Sequence, residues 1–203
     1  MRPSKREELV EKSLFVFDQL GFHATGMDLL ASKIGMSKTS IYNHFRTKED
    51  LIVDVLRLQD EQFRNWLFRR MYDLGTANQG GPREQLLAMF DALAEWFEHE
   101  NFNGCLFLKA SSEYSDPAHP IHCQAVEHAE MLEIHILALV KKASMRLPDM
   151  VTRQLLVLKD GAISSALVGH TKSAAKDAKY AAQCLLDVHD TSKRKPVQTS
   201  FSF

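Results

Sequence analysis

Residues 25–50 have the sequence TGMDLLASKIGMSKTSIYNHFRTKED, and this stretch decides the fold. Thr25 followed by Asp28 has the spacing of a capping box, which predicts that a short helix begins here. The apolar residues of this helix are Leu29, Leu30 and Ile34. An acceptor side chain at the N-cap and a helical apolar spacing behind it together predict an amphipathic helix.

A second short helix follows almost at once. Gly35 stands where the first helix must end with a positive φ, and Ser37 has the side chain of an N-cap. These signals predict a helix over residues 37–45. Ile41 and Phe45 are four residues apart, so they share one face of that helix, and we expect this face to pack inward.

Thr47 with Asp50 has the spacing of another capping box and predicts the start of a long helix. Two short helices at an angle, followed by a third, predict a helix-turn-helix. The helix over residues 37–45 would then enter a DNA major groove. Its polar residues, which the packed face leaves for other surfaces, are Lys38, Thr39, Ser40, Tyr42, Asn43 and His44.

The composition of the 203 residues is that of an ordinary globular domain, with 45% hydrophobic and 25% charged residues. The net charge is −1, so the chain as a whole does not indicate a polyanionic partner. Residues 1–48 differ, because their eight basic and five acidic side chains give this segment a net charge of +3. A basic N-terminal segment and an acidic remainder are compatible with a DNA-binding head on a helical body.

Cysteine usage and hydropathy predict a cytoplasmic protein. Cys105, Cys123 and Cys184 are an odd number without framework spacing, so we expect reduced thiols. The sequence has no leader pattern and no apolar run of about 18 residues, so we expect neither secretion nor a membrane partner.

The remaining sequence predicts helices throughout and no strand. The predicted segments are 5–20, 48 to about 74, 83–100, 105–112, 121–145, 148 to about 170, and 174–188. The prediction is an all-α chain of about nine helices: a helix-turn-helix domain over residues 1–50 and a helical body over residues 51–189. The polar segment 190–203 is predicted to be disordered.

The sequence resembles the TetR family of bacterial transcriptional regulators. The resemblance lies in Thr25, in Leu30-Ala31, in the run from Ile34 to Lys38, in the run from Ile41 to Phe45, and in the run from Lys48 to Leu51. It implies DNA-backbone contacts for Thr25, Tyr42, His44 and Lys48. The candidates for base contacts are Lys38, Thr39, Ser40 and Asn43, with Asn43 suited to adenine and Lys38 to guanine.

The resemblance also implies a homodimer formed through the last two helices, at about residues 148–188. This segment is rich in small residues that allow close helix packing, among them Gly161, Ala162, Ala166, Ala178 and Ala182. The alternative is that these residues close the core of one chain. A two-fold dimer would read a palindromic operator.

In relatives the middle helices form a ligand pocket, so the resemblance implies a small-molecule effector that releases a repressor from DNA. The candidate lining residues are Phe63, Trp66, Met89, Phe90, Trp96, Phe97, Phe102, Cys105, Phe107 and Tyr114. Such aromatic and thioether side chains suit an apolar ligand, but they equally suit a helical core.

Three alternatives remain open from the sequence. Cys105 opens a helix with Lys109 one turn later, which permits an electrophile or redox sensor, although a small buried cysteine explains it equally. His119, His122, Cys123 and His128 have a spacing that zinc tolerates, although solvated histidines explain them better, and we predict no metal site. A DNA-binding protein without sequence preference is the third. No motif predicts an enzyme or a cofactor.

Overall fold

The computed structural model describes residues 4–170 and 172–193, and within them the chain forms nine α-helices and no β-strand. The predicted all-α class is confirmed. The helices are α1 Lys5–Leu20, α2 Met27–Ile34, α3 Lys38–Tyr42, α4 Lys48–Thr76, α5 Pro82–Phe97, α6 Leu106–Glu113, α7 Pro120–Lys142, α8 Pro148–Ser165 and α9 Ala174–His189.

The chain divides into two compact units that do not follow the predicted boundary at residue 50. The first unit comprises Met1–Phe68 and Glu100–Leu132, and the second comprises Arg69–His99 and Glu133–Phe203. The reason is that α6 and the beginning of α7 bury apolar side chains in the same core as the first three helices. Sequence adjacency suggested a small N-terminal domain, whereas packing joins distant segments to it.

The first helix begins and ends as the sequence predicts. Ser4 and Glu7 form a capping box at its start, and Gly21 ends it with φ +80°. Phe17 is fully buried, and so is Phe22 just beyond the helix, with 5.4 Å between their ring centroids. Phe22 therefore anchors the turn that leads into α2.

The start of α2 differs from the prediction. Its N-cap is Gly26, which has no side-chain cap, and the predicted capping box between Thr25 and Asp28 is absent. Thr25 is fully buried, and its hydroxyl donates a hydrogen bond of 2.7 Å to the Gly21 carbonyl. The hydroxyl thus closes the turn behind α1 and does not cap the helix ahead. Leu29, predicted to pack, is 39% exposed.

The turn and the start of α3 confirm their signals, but α3 is shorter than predicted. Gly35 has φ +69°, and the Ser37 hydroxyl accepts a 3.1 Å hydrogen bond from the Ser40 N–H. The N–H groups of His44 and Phe45 both donate to the Ile41 carbonyl, so the backbone leaves the α-helical pattern after Tyr42. The predicted helix 37–45 is therefore one and a half turns of helix followed by a tight turn.

Other helix ends follow the sequence prediction more closely. The capping box of Thr47 and Asp50 opens α4 as predicted. The α-helical part of α8 ends at Ser165 and continues as a π-helical segment, Ala166–His170, that ends near residue 170 as predicted and contains a kink at Gly169 with φ +108°. Asp190 pairs with Met145 and residues 191–193 form a 3₁₀ turn, so these residues are ordered, while 194–203 lie outside the described residues.

The second unit is built on contacts of α9 with α5 and α8. The alanines that α8 and α9 contribute to the core of this unit, each less than a tenth exposed, are Ala162, Ala166, Ala174, Ala175, Ala178 and Ala182. Ion pairs tie α9 to α5: Lys179 lies 2.6 Å from Asp91, and Arg83 lies 2.6 Å from Asp187. These small residues thus allow α8 and α9 to pack closely against each other within one chain.

Within the first unit, α6 is bonded to the backbone around the end of α1. The Glu113 carboxylate accepts hydrogen bonds from the N–H groups of Phe22, at 3.0 Å, and His23. The Lys109 ammonium donates to the Asp18 carbonyl at 2.6 Å. One face of a two-turn helix therefore holds both the last turn of α1 and the turn into α2.

Glu113→Ala is expected to lower the free energy of unfolding by about 2 kcal/mol, because two backbone N–H groups lose a charged acceptor in a partly buried place. Chemical denaturation followed by circular dichroism measures the change. Glu130→Ala, at an exposed position of α7, is the matched control and should leave stability nearly unchanged. Equal stability of the two variants would contradict the role of Glu113.

Thr25→Val keeps the shape of the side chain but removes the hydroxyl that bonds to Gly21. We expect a loss of about 1 kcal/mol, because a buried carbonyl loses its partner. Thr39→Val makes the same chemical change at an exposed position and should shift stability by less than about 0.5 kcal/mol. A Thr25→Val protein as stable as the wild type would show that the hydroxyl does not hold the turn.

Candidate nucleic-acid interface

The residues of α3 and the turn after it present a continuous polar surface. Ile41 and Phe45 are buried, at 0% and 4% exposure, and they fix which side of α3 faces the core. The exposed residues on the other sides are Lys38, Thr39, Tyr42, Asn43 and His44. Ser40 is half-buried. The structure therefore brings six of the eight predicted DNA-contacting residues onto one short segment.

The other two predicted residues, Lys48 and Thr25, lie outside this segment and differ in their exposure. Lys48 is half-buried in the first turn of α4, where the free N–H groups of a 29-residue helix favour an anion. Thr25 is fully buried and its hydroxyl is bonded to Gly21. Because its side chain exposes no surface, we leave Thr25 out of the proposed DNA contacts.

Lys38 has a defined partner across the turn between the two short helices. Its ammonium lies 2.6 Å from a carboxylate oxygen of Asp28, in the first turn of α2. Hydrogen bonding to Asp28 raises the pKa of Lys38, so the lysine stays charged at any physiological pH. Sequence reasoning treated Asp28 only as a capping residue and missed this pair.

Two arginines near residues 38–45, the recognition segment, were also missed. Arg46 is exposed in the turn between α3 and α4, and its position between His44 and Lys48 was the available signal. Arg6 stacks its guanidinium over the Phe45 ring, 4.7 Å from the centroid, and pairs with Asp54 of α4. Arg6 therefore ties α1 to the end of the recognition segment.

The predicted ligand-binding residues are divided between the two units. Phe63, Trp66, Phe102, Cys105, Phe107 and Tyr114 belong to the first unit, and Met89, Phe90, Trp96 and Phe97 to the second. Met89, Phe90 and Phe97 are almost fully buried, as core residues are. Burial, with a smaller contribution from Glu49 and Glu113, raises the pKa of Tyr114 to about 12.

Three surface cavities of the first unit have linings that differ from the predicted ligand set. One of about 440 Å³ is bordered by residues of α4 and α7, among them Asp60, Arg64 and His128. The others, of about 440 and 370 Å³, both include Arg6 and Asp54. The predicted aromatic residues border none of these three cavities, so an effector pocket stays a prediction.

Asp60 is the centre of a charged cluster beside the first of these cavities. Arg64 binds both of its carboxylate oxygens, at 2.8 and 2.6 Å, and His128 Nδ1 lies 2.7 Å from one of them. Burial works to raise the pKa of Asp60, but the hydrogen bonds from Arg64 and His128 outweigh it and lower the pKa. The His128 ring also stacks on Phe107, with centroids 3.7 Å apart.

The histidines and Cys123 around the start of α7 are engaged separately and not around one point. His122 Nδ1 lies 2.8 Å from the Tyr114 carbonyl, His119 stacks on the Tyr114 ring, and Cys123 donates to the Pro117 carbonyl. Within residues 4–170 and 172–193, no three His, Cys, Asp or Glu side chains are arranged to hold a metal ion. Likewise, no helix in the described part of the chain is long and apolar enough to cross a bilayer.

Cys105 is the N-cap of α6 and packs, half-buried, against the core of the first unit. None of the three cysteines, all of them in described segments, forms a disulfide. Lys109, the cation expected to favour a sensing thiol, directs its ammonium to the Asp18 carbonyl. Its charge is thus engaged by another group, and sensing by Cys105 stays an untested alternative.

Comparison with known proteins places these features in a family. The family profile described as bacterial regulatory proteins of the TetR family matches residues 9–55, which include α1, α2, α3 and the start of α4. The transcriptional regulator YjdC of Escherichia coli K12 is 27% identical over 183 residues, covering 90% of this chain and 93% of YjdC. The repressor KstR2 of Mycolicibacterium smegmatis is 32% identical over 114 residues, covering 56% of this chain and 53% of KstR2.

Solved structures extend the similarity to nearly the whole chain. A TetR-family transcriptional regulator of Streptomyces coelicolor, SCO4454, superimposes with a TM-score of 0.82 at 23% identity, covering 91% of this chain and 95% of its own. A putative TetR-type transcriptional regulator of Streptomyces avermitilis superimposes with a TM-score of 0.78 at 27% identity, covering 93% and 99%.

The helix-turn-helix geometry, the family profile and the near full-length relatives agree. Regulators of this kind act by binding DNA, and the family is not one of enzymes. The chain is a DNA-binding transcriptional regulator whose residues 9–55 match the TetR family profile and whose relatives include TetR-family regulators.

Proposed function

We propose that the protein is a repressor that binds a palindromic operator as a homodimer and is released by a small-molecule effector. The observation that carries the DNA-binding part is the row of exposed polar residues on α3, held outward by buried Ile41 and Phe45. The repressor part is supported by similarity to KstR2, a named repressor. Such a protein acts in the cytoplasm, where the chromosome lies.

The residues fall into two groups by chemistry. Phosphate contacts come from Tyr42, His44 and Lys48, with exposed Arg46 added from the structure, and they position the head without reading sequence. Base contacts come from the side chains that project from α3 and its last turn. They are Lys38, Thr39, Ser40 and Asn43.

The surface of α8 and α9 supports a dimer more directly than their small residues do. The buried alanines already pack in the core of the second unit, which is the alternative role that the sequence left open for them. The same two helices also expose large apolar side chains, with Val157 at 70% on α8 and Tyr180 at 71% and Val188 at 65% on α9, and the segment between them exposes Leu167 at 53% and Val168 at 75%. Exposed apolar residues on two neighbouring helices and on the segment that joins them suit the helical face of a second copy.

The bonds of α6 give an effector a route to DNA affinity. Glu113 and Lys109 hold the backbone at the end of α1 and the turn into α2, so a displacement of α6 moves the segment that positions the helix-turn-helix. A ligand that favours a displaced α6 must then bind DNA-free protein more tightly, by linkage.

A selection from genomic DNA tests the proposal as a whole. Sheared DNA from the source organism is mixed with the protein at moderate salt, and the bound fragments are sequenced. Enrichment of one or a few palindromes supports a specific regulator, and repression of a reporter placed behind an enriched site supports a repressor. Uniform enrichment would indicate a DNA-binding protein without sequence preference.

Lys48→Ala should weaken binding to the selected operator and to random DNA by the same factor. The slope of log K against log salt should become shallower by about 0.9 for each Lys48 removed, because one phosphate contact is lost. Asn43→Ala should instead relax the preference at one base-pair position.

Lys141→Ala is the matched control, since this lysine lies in the last turn of α7 and outside the proposed interface. It should leave both the slope and the preference unchanged. A salt titration in which Lys48→Ala and the wild type have the same slope would exclude Lys48 from the phosphate contacts.

The double substitution Val157→Glu with Val188→Glu places charges on the exposed faces of α8 and α9 and should produce a monomer. Sedimentation velocity at micromolar concentration should give twice the chain mass for the wild type and the chain mass for the variant. Ile134→Glu, at a 62% exposed apolar position of α7, is the control and should remain dimeric. A monomeric wild type would refute the dimer.

A further inference from the structure

An acidic residue lies on the surface that the proposed function directs toward DNA. Asp28 is in the first turn of α2, and its side chain is 86% exposed. It reaches across the turn to the ammonium of Lys38, the first residue of α3, at 2.6 Å. A carboxylate in this place is unexpected for a simple DNA-binding surface, because DNA is a polyanion.

The Asp28–Lys38 ion pair distinguishes Lys38 from two other cations of the head, Arg46 and Lys48. In the described part of the chain, Lys38 forms an ion pair, whereas neither Arg46 nor Lys48 is placed within ion-pair distance of an acidic group. Arg46 and Lys48 therefore offer a phosphate a charge that no ion pair engages. Lys38 offers a charge that Asp28 partly compensates.

The compensation affects phosphates and bases differently. A phosphate that approaches Lys38 also approaches the carboxylate, so repulsion from Asp28 cancels much of the attraction. A base edge has no net charge, and guanine offers two acceptors, O6 and N7, to a donor. An ammonium has three N–H donors, so Lys38 can keep its bond to Asp28 and still donate to a guanine.

We propose that Asp28 is a specificity-determining residue, which holds Lys38 for a base edge in the operator and lowers its affinity for phosphates elsewhere. The inference rests on the proposed function, since it presupposes binding to a specific operator. The pair also restricts the rotamers of a long side chain before DNA arrives, so less conformational entropy is lost when the base contact forms.

Asp28→Asn tests this with an isosteric side chain that lacks the charge. Affinity is measured by fluorescence anisotropy on the selected operator and on a random duplex of equal length, at salt concentrations between about 50 and 300 mM. We expect the affinity for random DNA to rise by about threefold or more and its salt slope to steepen. The ratio of operator to random affinity should fall by at least about threefold, since operator affinity rises less.

Two further variants separate this role from a general charge effect. Glu11→Gln removes one negative charge from an exposed position of α1, and it should raise both affinities equally and keep the ratio unchanged. In a Lys38→Met background, Asp28→Asn should no longer change the ratio, because no lysine remains to be directed. Thermal unfolding of each variant confirms that the comparison is made between folded proteins.

The outcomes distinguish this inference from the proposed function. Suppose that the wild type prefers its operator. If Asp28→Asn then has the same operator-to-random ratio, or if its ratio change persists in the Lys38→Met background, Asp28 does not determine specificity through Lys38. The proposed function stands in either case. If the wild type itself binds all DNA alike, both are overturned. A reduced ratio in Asp28→Asn that disappears in the Lys38→Met background supports the inference.

Discussion

The DNA-binding surface depends on the burial of two side chains, Ile41 and Phe45. Ile41 belongs to α3 and Phe45 to the turn after it; α3 has only five residues, and a helix of that length has no stability of its own in water. Its position is fixed by the core of the first unit, in which Ile41 is fully buried and Phe45 nearly so. Arg6 of α1 covers the Phe45 ring and pairs with Asp54 of α4, so both of these helices help to hold α3 and the turn after it in place. Every exposed residue of the recognition segment takes its direction from these contacts.

The core that holds the recognition segment does not belong to the first three helices alone. It includes α6, whose Glu113 and Lys109 bind the backbone on either side of Gly21. The same turn is closed from within by the Thr25 hydroxyl. The turn therefore has few free backbone groups and little freedom to move without α6. This coupling ties α6, a helix outside the helix-turn-helix, to the turn from which α2 leaves α1.

The sequence predicted those features whose causes are local. Gly35, Ser37 and the Thr47–Asp50 capping box each act within four residues, and each is found as predicted. The Thr25 hydroxyl could either cap the helix ahead of it or bond to the backbone of the turn behind it, and spacing alone does not decide between these two roles. The division into units, the separation of the predicted ligand residues, and the Asp28–Lys38 pair depend on how distant segments pack. Arg46 carried a local signal in its position between His44 and Lys48, but it lies in the turn after the predicted recognition helix and not on that helix.

The charge of the head limits how such a protein can find one site among many. Residues 1–48 carry a net charge of only +3, and one of their lysines is compensated by Asp28. Few uncompensated cations mean few released counterions, so binding to random DNA is weak at physiological salt. A weak non-specific term favours discrimination, because competing sites capture less of the protein. It also limits the affinity of a single head, and in the proposed dimer two heads on a two-fold axis would recover affinity by doubling contacts that only a palindrome satisfies. The modest charge of the head and the exposed apolar residues of α8 and α9 are therefore both consistent with the proposed dimer.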